Sequence, residues 1–228
     1  QLLPLKIEYE LKCIPNTIAV IGNKIKKKID IYENKLKVIT APAFRFSYLW
    51  NLKKKNNKNK VNILVALPVI EQDISRILNS IPLSLHKNKR IKINIKTHPT
   101  MTKQALNKFL NKKNKIRYNI SSGGIHKNFE KTDILISTSS IACLEALSLG
   151  ISVINIKRQI GMDYHAIPSE IPKTFWKNCS NENEICETIN YFIKNRSVQS
   201  KYRMKMAKII RKNYFEPISK TKILKLVN

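Results

Sequence analysis

"DILISTSSIACLEALSLGISVINIK", residues 133–157, holds two short apolar runs with a helix-length segment between them. The first run ends in four hydroxyl-bearing residues, Ser137, Thr138, Ser139 and Ser140. A helical pattern follows over 139–150 and stops at Gly150, the residue type suited to the left-handed turn after a helix. The second run, 151–157, is apolar again. Strand, helix and strand in this order form a βαβ unit, which belongs to a parallel sheet covered on both faces.

The same alternation extends upstream. "VNILVALP" (61–68) is a continuous apolar run stopped by Pro68, as for a strand buried on both faces. Ile74, Ile77, Leu78 and Ile81 recur at helical spacing. "RIKINIK" (90–96) predicts a second strand, 100–112 a helix with Thr100 or Thr102 as its N-cap, and 115–120 a third strand. Residues 123–132 hold a short helix or turn, 173–179 a short last strand, and 181–195 and 198–215 two closing helices. Upstream, 16–23 predicts a strand ending at a Gly22-Asn23 turn, and 35–50 a strand, a proline turn and an aromatic segment. The fold class is therefore α/β, a Rossmann-like, doubly wound, mostly parallel sheet.

The chain of 228 residues carries 43 basic and 15 acidic residues, a net charge of +28. Such charge either reflects a composition rich in Lys, Asn and Ile with solvated lysines, or suits an anionic membrane surface or an anionic substrate. The lysines are scattered among Asn and Ile and do not alternate with aromatics, which argues against nucleic acid as the specific partner. Cys13, Cys143, Cys179 and Cys186 are dispersed at no zinc-ligand spacing, and Cys143 reads as a small core residue. A reduced, cytoplasmic setting is expected. No apolar run is long enough to span a bilayer. The sequence has neither G-x-G-x-x-G nor G-x-x-x-x-G-K-[ST], and no G-x-S-x-G elbow. Its four histidines are isolated, and no metal is expected to be required.

Chemistry concentrates at strand ends. In "IKTHPT" (95–100), His98 and Pro99 follow a strand that Pro99 cannot continue, since it has no N–H for the ladder. In open α/β sheets the carboxyl ends of strands are where ligands bind. His98 is then either a locally satisfied strand-end residue or a ligand contact, with Lys96 beside it. Ser139 and Ser140 either cap the following helix or join its free N–H groups in holding a phosphate. Glu145 is either a solvated helix residue or a carboxylate reaching a ribose diol. Gly123, in "SSGGIH" (121–126), permits close backbone approach to a ligand. Asp163, Tyr164 and His165 lie in a non-periodic loop after a strand, and Arg45 offers a fork for phosphate; these four are candidate acceptor or base contacts.

"IKTHP", "ISTSS" and "LEALSLGISVI" together resemble the C-terminal, donor-binding domain of GT-B-fold glycosyltransferases. The motifs are most similar to bacterial sialyltransferases, polysialyltransferases and related surface-carbohydrate transferases. The resemblance covers about residues 61–195. It implies that Lys96, His98, Pro99, Thr138, Ser139 and Ser140 bind the nucleotide end of a nucleotide-sugar, with a CMP-linked donor favoured, and that Glu145 holds the ribose. His98 is the implied catalytic residue, stabilising the leaving nucleotide. It implies a glycan or glycolipid acceptor, and a place in the cytoplasm or on the inner face of the membrane. The D/E-D/E-G-type motif that carries the base in the sialyltransferase group does not occur here. The organisation implied is 1–60 as the end of an N-terminal domain and its connection, 61–195 as the nucleotide-sugar-binding domain, and 196–228 as a basic helix packing back on the other domain. A stripe of Tyr202, Met206, Ile209 and Ile210 marks the apolar side of that helix. The alternatives are a UDP-sugar 2-epimerase-like or CDP-glycerol-type enzyme, and a non-enzymatic basic module for nucleic acid or membrane.

Overall fold

The computed structural model describes residues 6–32, 36–54, 60–111, 118–157 and 167–227. Two compact units divide the chain: Gln1–Asn51 with Ile209–Asn228, and Leu52–Lys208.

In the first unit the elements are α1 (Lys6–Glu10), β1 (Thr17–Val20), α2 (Asn23–Tyr32), β2 (Lys37–Thr40), a 3-10 turn at Phe44–Phe46 and α3 (Tyr48–Asn51). Strands β1 and β2 pair in parallel. Val20, Ile29, Leu36 and Val38 form a small core, with Ile18 and Ile25 against it. The predicted Gly22-Asn23 turn is instead the start of α2. Ile25 and Ile29, four residues apart, turn one face of this lysine-rich helix inward, and Lys26 pairs with Asp30 on its surface at 3.0 Å. The returning end of the chain closes the unit: Glu216 N–H donates to Ile21 O, Ala43 N–H donates to Glu216 O, and Phe215 stacks obliquely on Phe46.

The second unit contains β3 (Val61–Ala66), α4 (Glu71–Ser80), α5 (Leu83–Lys87), β4 (Ile91–Lys96), α6 (Lys103–Asn111), β5 (Asn119–Ile120), α7 (Ile125–Phe129), β6 (Ile134–Ser137), α8 (Ile141–Ser148), β7 (Ser152–Ile156), β8 (Trp176–Cys179) and α9 (Glu182–Lys194). Helix α10 (Ser200–Tyr214) begins in this unit and ends in the first, which also holds α11 (Lys220–Val227). The six strands form one sheet in the order β5-β4-β3-β6-β7-β8, and every pairing is parallel.

Burial explains this order. The centre holds the apolar strands: β6 and β7 are buried throughout, and Ile63, Leu64 and Val65 of β3 are essentially inaccessible. Each such side chain contributes roughly 1.5–3 kcal/mol. Ile63 and Val65 join Ile74, Ile77 and Ile81 on one face of the sheet, in the core that also takes Ile185, Ile189 and Phe192 of α9. The mixed strand β4 and the two-residue β5 lie toward one edge, where exposed residues are tolerated. Residues 115–117, the start of the predicted third strand, lie outside the described residues.

Caps match the local sequence. Thr102, not Thr100, caps α6, accepting from Ala105 N–H at 3.1 Å. Asn181 caps α9 by accepting from Glu184 N–H at 2.9 Å, while the Glu184 carboxylate accepts from Ser180 N–H at 2.7 Å. Gly150 ends α8 at φ +74°, where a side chain would be strained.

The predicted stripe of the closing helix is rotated. Arg203, Ala207, Ile210 and Tyr214 are the buried residues of α10, whereas Tyr202 and Ile209 are exposed. Of the predicted stripe Ile210 is buried and Met206 half-buried, while the buried Arg203 and Ala207 lie outside it. The short helices α5 and α11 were not predicted, because runs this short carry weak periodicity.

Candidate functional site

With all strands parallel, every carboxyl end lies at one edge of the sheet. The chain builds β3, β4 and β5 outward in one direction, then returns to place β6 on the other side of β3. The connections after β3 and β6 therefore diverge, and the carboxyl ends of such a switch point are where open α/β sheets bind ligands. The residues after β4 and after β6 flank this point.

After β4, Lys96 Nζ donates to Thr97 O at 2.9 Å. His98 is half-buried, Pro99 is exposed, and Met101 N–H donates to His98 O at 3.0 Å, closing a turn. His98 Nδ1 lies 2.8 Å from Thr100 Oγ1 and 3.3 Å from Thr100 N. A backbone N–H can only donate, so Nδ1 accepts. A neutral His98 in this arrangement carries its proton on Nε2. The local satisfaction expected of a strand-end histidine is thus real for one ring nitrogen.

After β6, the polar run turns into α8. Ser137 Oγ donates to Ala66 O at 3.0 Å and ties β6 to the end of β3. Thr138 is buried, and its carbonyl receives the Cys143 thiol. Ser140 caps the helix, its Oγ accepting from Ala142 N–H at 3.3 Å. Capping uses a lone pair of that hydroxyl and leaves its proton to donate. Ser139 and Ser140 are partly exposed at the helix start. Glu145 is 4% exposed, which overturns the expectation of a solvated helix residue: α8 is surrounded, with Ala142 through Ser148 all buried. Burial, with the charge of Glu145 adding and the Ser140 hydrogen bond opposing, pushes the Cys143 thiol up to about 12. Cys143 is a core residue, as its sequence context indicates, and no nucleophile.

After β5, Gly123 adopts φ +73° just before α7. Ser121 N–H donates to Ile95 O, which holds this segment beside β4. Arg45 belongs to the first unit, where it is exposed and its guanidinium carbon lies 5.4 Å from the centre of the Phe46 ring. Asp163, Tyr164 and His165 lie outside the described residues.

Three polar residues of this edge escaped the sequence reading. Asn155 of β7 is in register with Ser137 and with Asn178, donates to Asn178 Oδ1 at 2.9 Å, and is 7% exposed. Its signal was an amide in the otherwise apolar run "ISVINIK". Asp73 and Arg76, in α4, form the others. Arg76 donates to Lys157 O at 2.8 Å, just past β7, and lies 3.9 Å from the buried Asp73 carboxylate. No sequence signal joins positions so far apart.

No family model matches the sequence, nor does any curated protein. Solved structures do match the fold. A glycosyltransferase from Rickettsia africae ESF-5 is similar over 100% of this chain and 66% of its own, at 14% identity and a TM-score of 0.58. S. aureus MnaA, solved with UDP, matches over 92% of this chain and 57% of its own, at 15% identity and TM-score 0.58. Anabaena HepE, solved with UDP-glucose, matches over 89% and 60%, at 10% identity and TM-score 0.54. The chain has the Rossmann-like fold of GT-B glycosyltransferase structures. It spans less than two thirds of the length of each of these three.

Within this GT-B-like sheet, His98 and the Ser139-Ser140 pair come from strands on either side of β3, at one edge. Among the described residues no cluster of His, Cys, Asp and Glu is arranged to hold a metal ion, and no helix is long and apolar enough to cross a membrane.

Proposed function

We propose that this chain is the donor-binding half of a glycosyltransferase that takes a nucleotide-activated sugar. The observation that carries the reading is the delivery of His98 and Ser140 to the carboxyl edge on both sides of β3. In this reading the donor phosphate sits at the start of α8. The positive end of the α8 dipole and the Ser139 and Ser140 hydroxyls face it there. His98 Nε2–H donates from the opposite side, with Lys96, Pro99 and Thr138 shaping the approach. Gly123 lets the backbone come close, and Glu145 accepts from the ribose hydroxyls. Cleavage of the sugar–phosphate bond leaves the electron pair on the nucleotide. The helix dipole and the Nε2–H are preorganised for that growing negative charge. Asp163, Tyr164, His165 and Arg45 remain the proposed acceptor-side contacts, toward a glycan or glycolipid. The reaction needs no metal ion in this reading, so nucleotide binding is expected to survive EDTA.

The likeness of "IKTHP" and "ISTSS" to sialyltransferase motifs supports a CMP-linked donor. The UDP bound to MnaA and the UDP-glucose bound to HepE support a UDP-linked donor as the second reading. Calorimetric titration with CMP, UDP and CDP separates them. Selective CMP binding, weakened roughly tenfold or more by His98→Ala, is expected for loss of one charge-assisted contact. Selective UDP binding would replace the first reading with the second. No binding by any of the three nucleotides would refute both.

A further inference from the structure

The amino edge of the sheet, opposite to the donor edge, carries a cavity of about 1200 Å³ within the second unit. Val61 and Ile91, the first residues of β3 and β4, form part of its wall, which fixes its place in the fold. Five cations line it: Lys53, Lys54, Arg90, Arg196 and Arg203. Asp133, next to Arg196 and Lys54, is already engaged. Its Oδ1 accepts from Arg196 Nη2 at 2.8 Å and faces Lys54 Nζ at 3.8 Å, and its Oδ2 accepts from Asn62 N–H at 3.0 Å.

Arg203 is the anomaly. It is 8% exposed, yet its Nε and Nη2 have no hydrogen-bond partner among the described residues. A buried guanidinium with two nitrogens left without acceptors is costly, and arginines at such depth are normally matched to a carboxylate or a phosphate. The crowding shows in the neighbours. Burial, then Arg203 and Arg196, pull Lys54 down to about 8 against the opposing charge of Asp133. Burial and Arg196 likewise lower Arg203, with Asp133 opposing. An oxyanion in the cavity would supply both the missing acceptors and the missing charge. A guanidinium fork fits two oxygens of a phosphoryl group. No aromatic residue is among those lining the cavity, so it offers no platform for stacked bases.

We propose that the amino edge is a second anion site, independent of the donor edge, where Arg203 and Lys54 grip a phosphoryl group with Arg90 at the same wall. The group comes either from a free anion such as diphosphate or from the headgroup of an anionic lipid. The two share one chemistry.

Diphosphate titrated into the chain at low salt tests the site. Saturable binding is expected. Arg203→Met should weaken it by at least about tenfold, and Lys54→Met should weaken it in the same direction. Absence of saturable binding overturns the proposal. So does binding that is lost in His98→Ala and kept in Arg203→Met, because the anion would then occupy the donor edge. If Arg203→Met does not fold, Lys54→Met and Arg90→Gln are judged by the same criterion. Vesicles of phosphatidylglycerol, with phosphatidylcholine as control, identify the source. Co-sedimentation that diphosphate displaces and the variants lower assigns the lipid headgroup. Sedimentation indifferent to the variants, alongside diphosphate binding that they weaken, assigns the free anion.

Discussion

Asp133 Oδ1 lies 2.8 Å from Arg196 Nη2, joining the residue just before β6 to the segment after α9. Arg196 also donates to Lys60 O at 3.1 Å, and Asp133 receives Asn62 N–H, so one carboxylate organises the starts of β3 and β6. Asp133 is buried, and removing one partner of such a pair leaves the other charge uncompensated. Asp133→Asn is expected to cost about 3 kcal/mol of stability. Urea unfolding followed by Trp176 emission, in a Trp50→Phe background, measures it. A loss below about 1 kcal/mol would mean that solvent already screens the pair.

The position of Lys54 predicts a pH dependence. Burial above all, opposed by Asp133 and reinforced by Arg203 and Arg196, lowers it from 10.5 to about 8 in the folded chain. Between pH 8 and 10.5 the unfolded chain therefore binds the additional proton, and stability rises with pH across that window. Below pH 8 the full penalty applies, on the order of 3 kcal/mol. The difference in unfolding free energy between the wild type and Lys54→Met should shrink as pH climbs from 8 to 10.5. A difference constant over that range would show Lys54 to be solvated.

Ser140 separates capping from ligand binding. Ser140→Ala removes the acceptor for Ala142 N–H and is expected to cost about 1 kcal/mol. Ser140→Gly costs only a few tenths, since glycine is tolerated at an N-cap. Both delete the hydroxyl proposed to hold the donor phosphate. Nucleotide affinity should fall equally in the two variants while thermal stability falls chiefly in the first. Affinity that tracks stability instead would leave Ser140 as a cap alone.

Gly150→Ala places a Cβ at φ +74°, with Met204 Sδ 2.9 Å away. Met204 is a flexible, exposed side chain and can shift, so backbone strain dominates. The expected loss is about 1 kcal/mol by thermal unfolding. Gly150→Asn, which tolerates the left-handed region, should lose less.

At α9, Asn181→Ala and Glu184→Ala each break one half of the reciprocal cap. Each should cost about 1 kcal/mol, and the double variant less than the sum. Additive losses would show that the two bonds form independently.

The parallel sheet was legible because its strands are apolar enough to be buried on both faces, and 61–68, 133–138 and 151–157 mark the centre without help from context. The strand-end residues His98, Ser139 and Ser140 were legible for a related reason: proline and serine punctuate the chain where a strand must stop or a helix must start. Glu145 shows where local reading fails. Its sequence allowed a solvated or a buried carboxylate, and only the layers packed around α8 excluded the first. Arg203 was not legible at all, because only the packed face that Ala207 and Ile210 define carries it inward.

The sequence by itself determined the central strands and the longer helices between them, the parallel class of the sheet and the edge where ligands are to be sought, since periodicity and turn chemistry act over a few residues. Tertiary structure alone decided the strand order and the sharing of Asp133 among β3, Lys54 and Arg196. It also decided the burial of Glu145 and the gathering of five cations at the amino edge. Those depend on contacts between residues far apart in the chain, which local pattern does not encode.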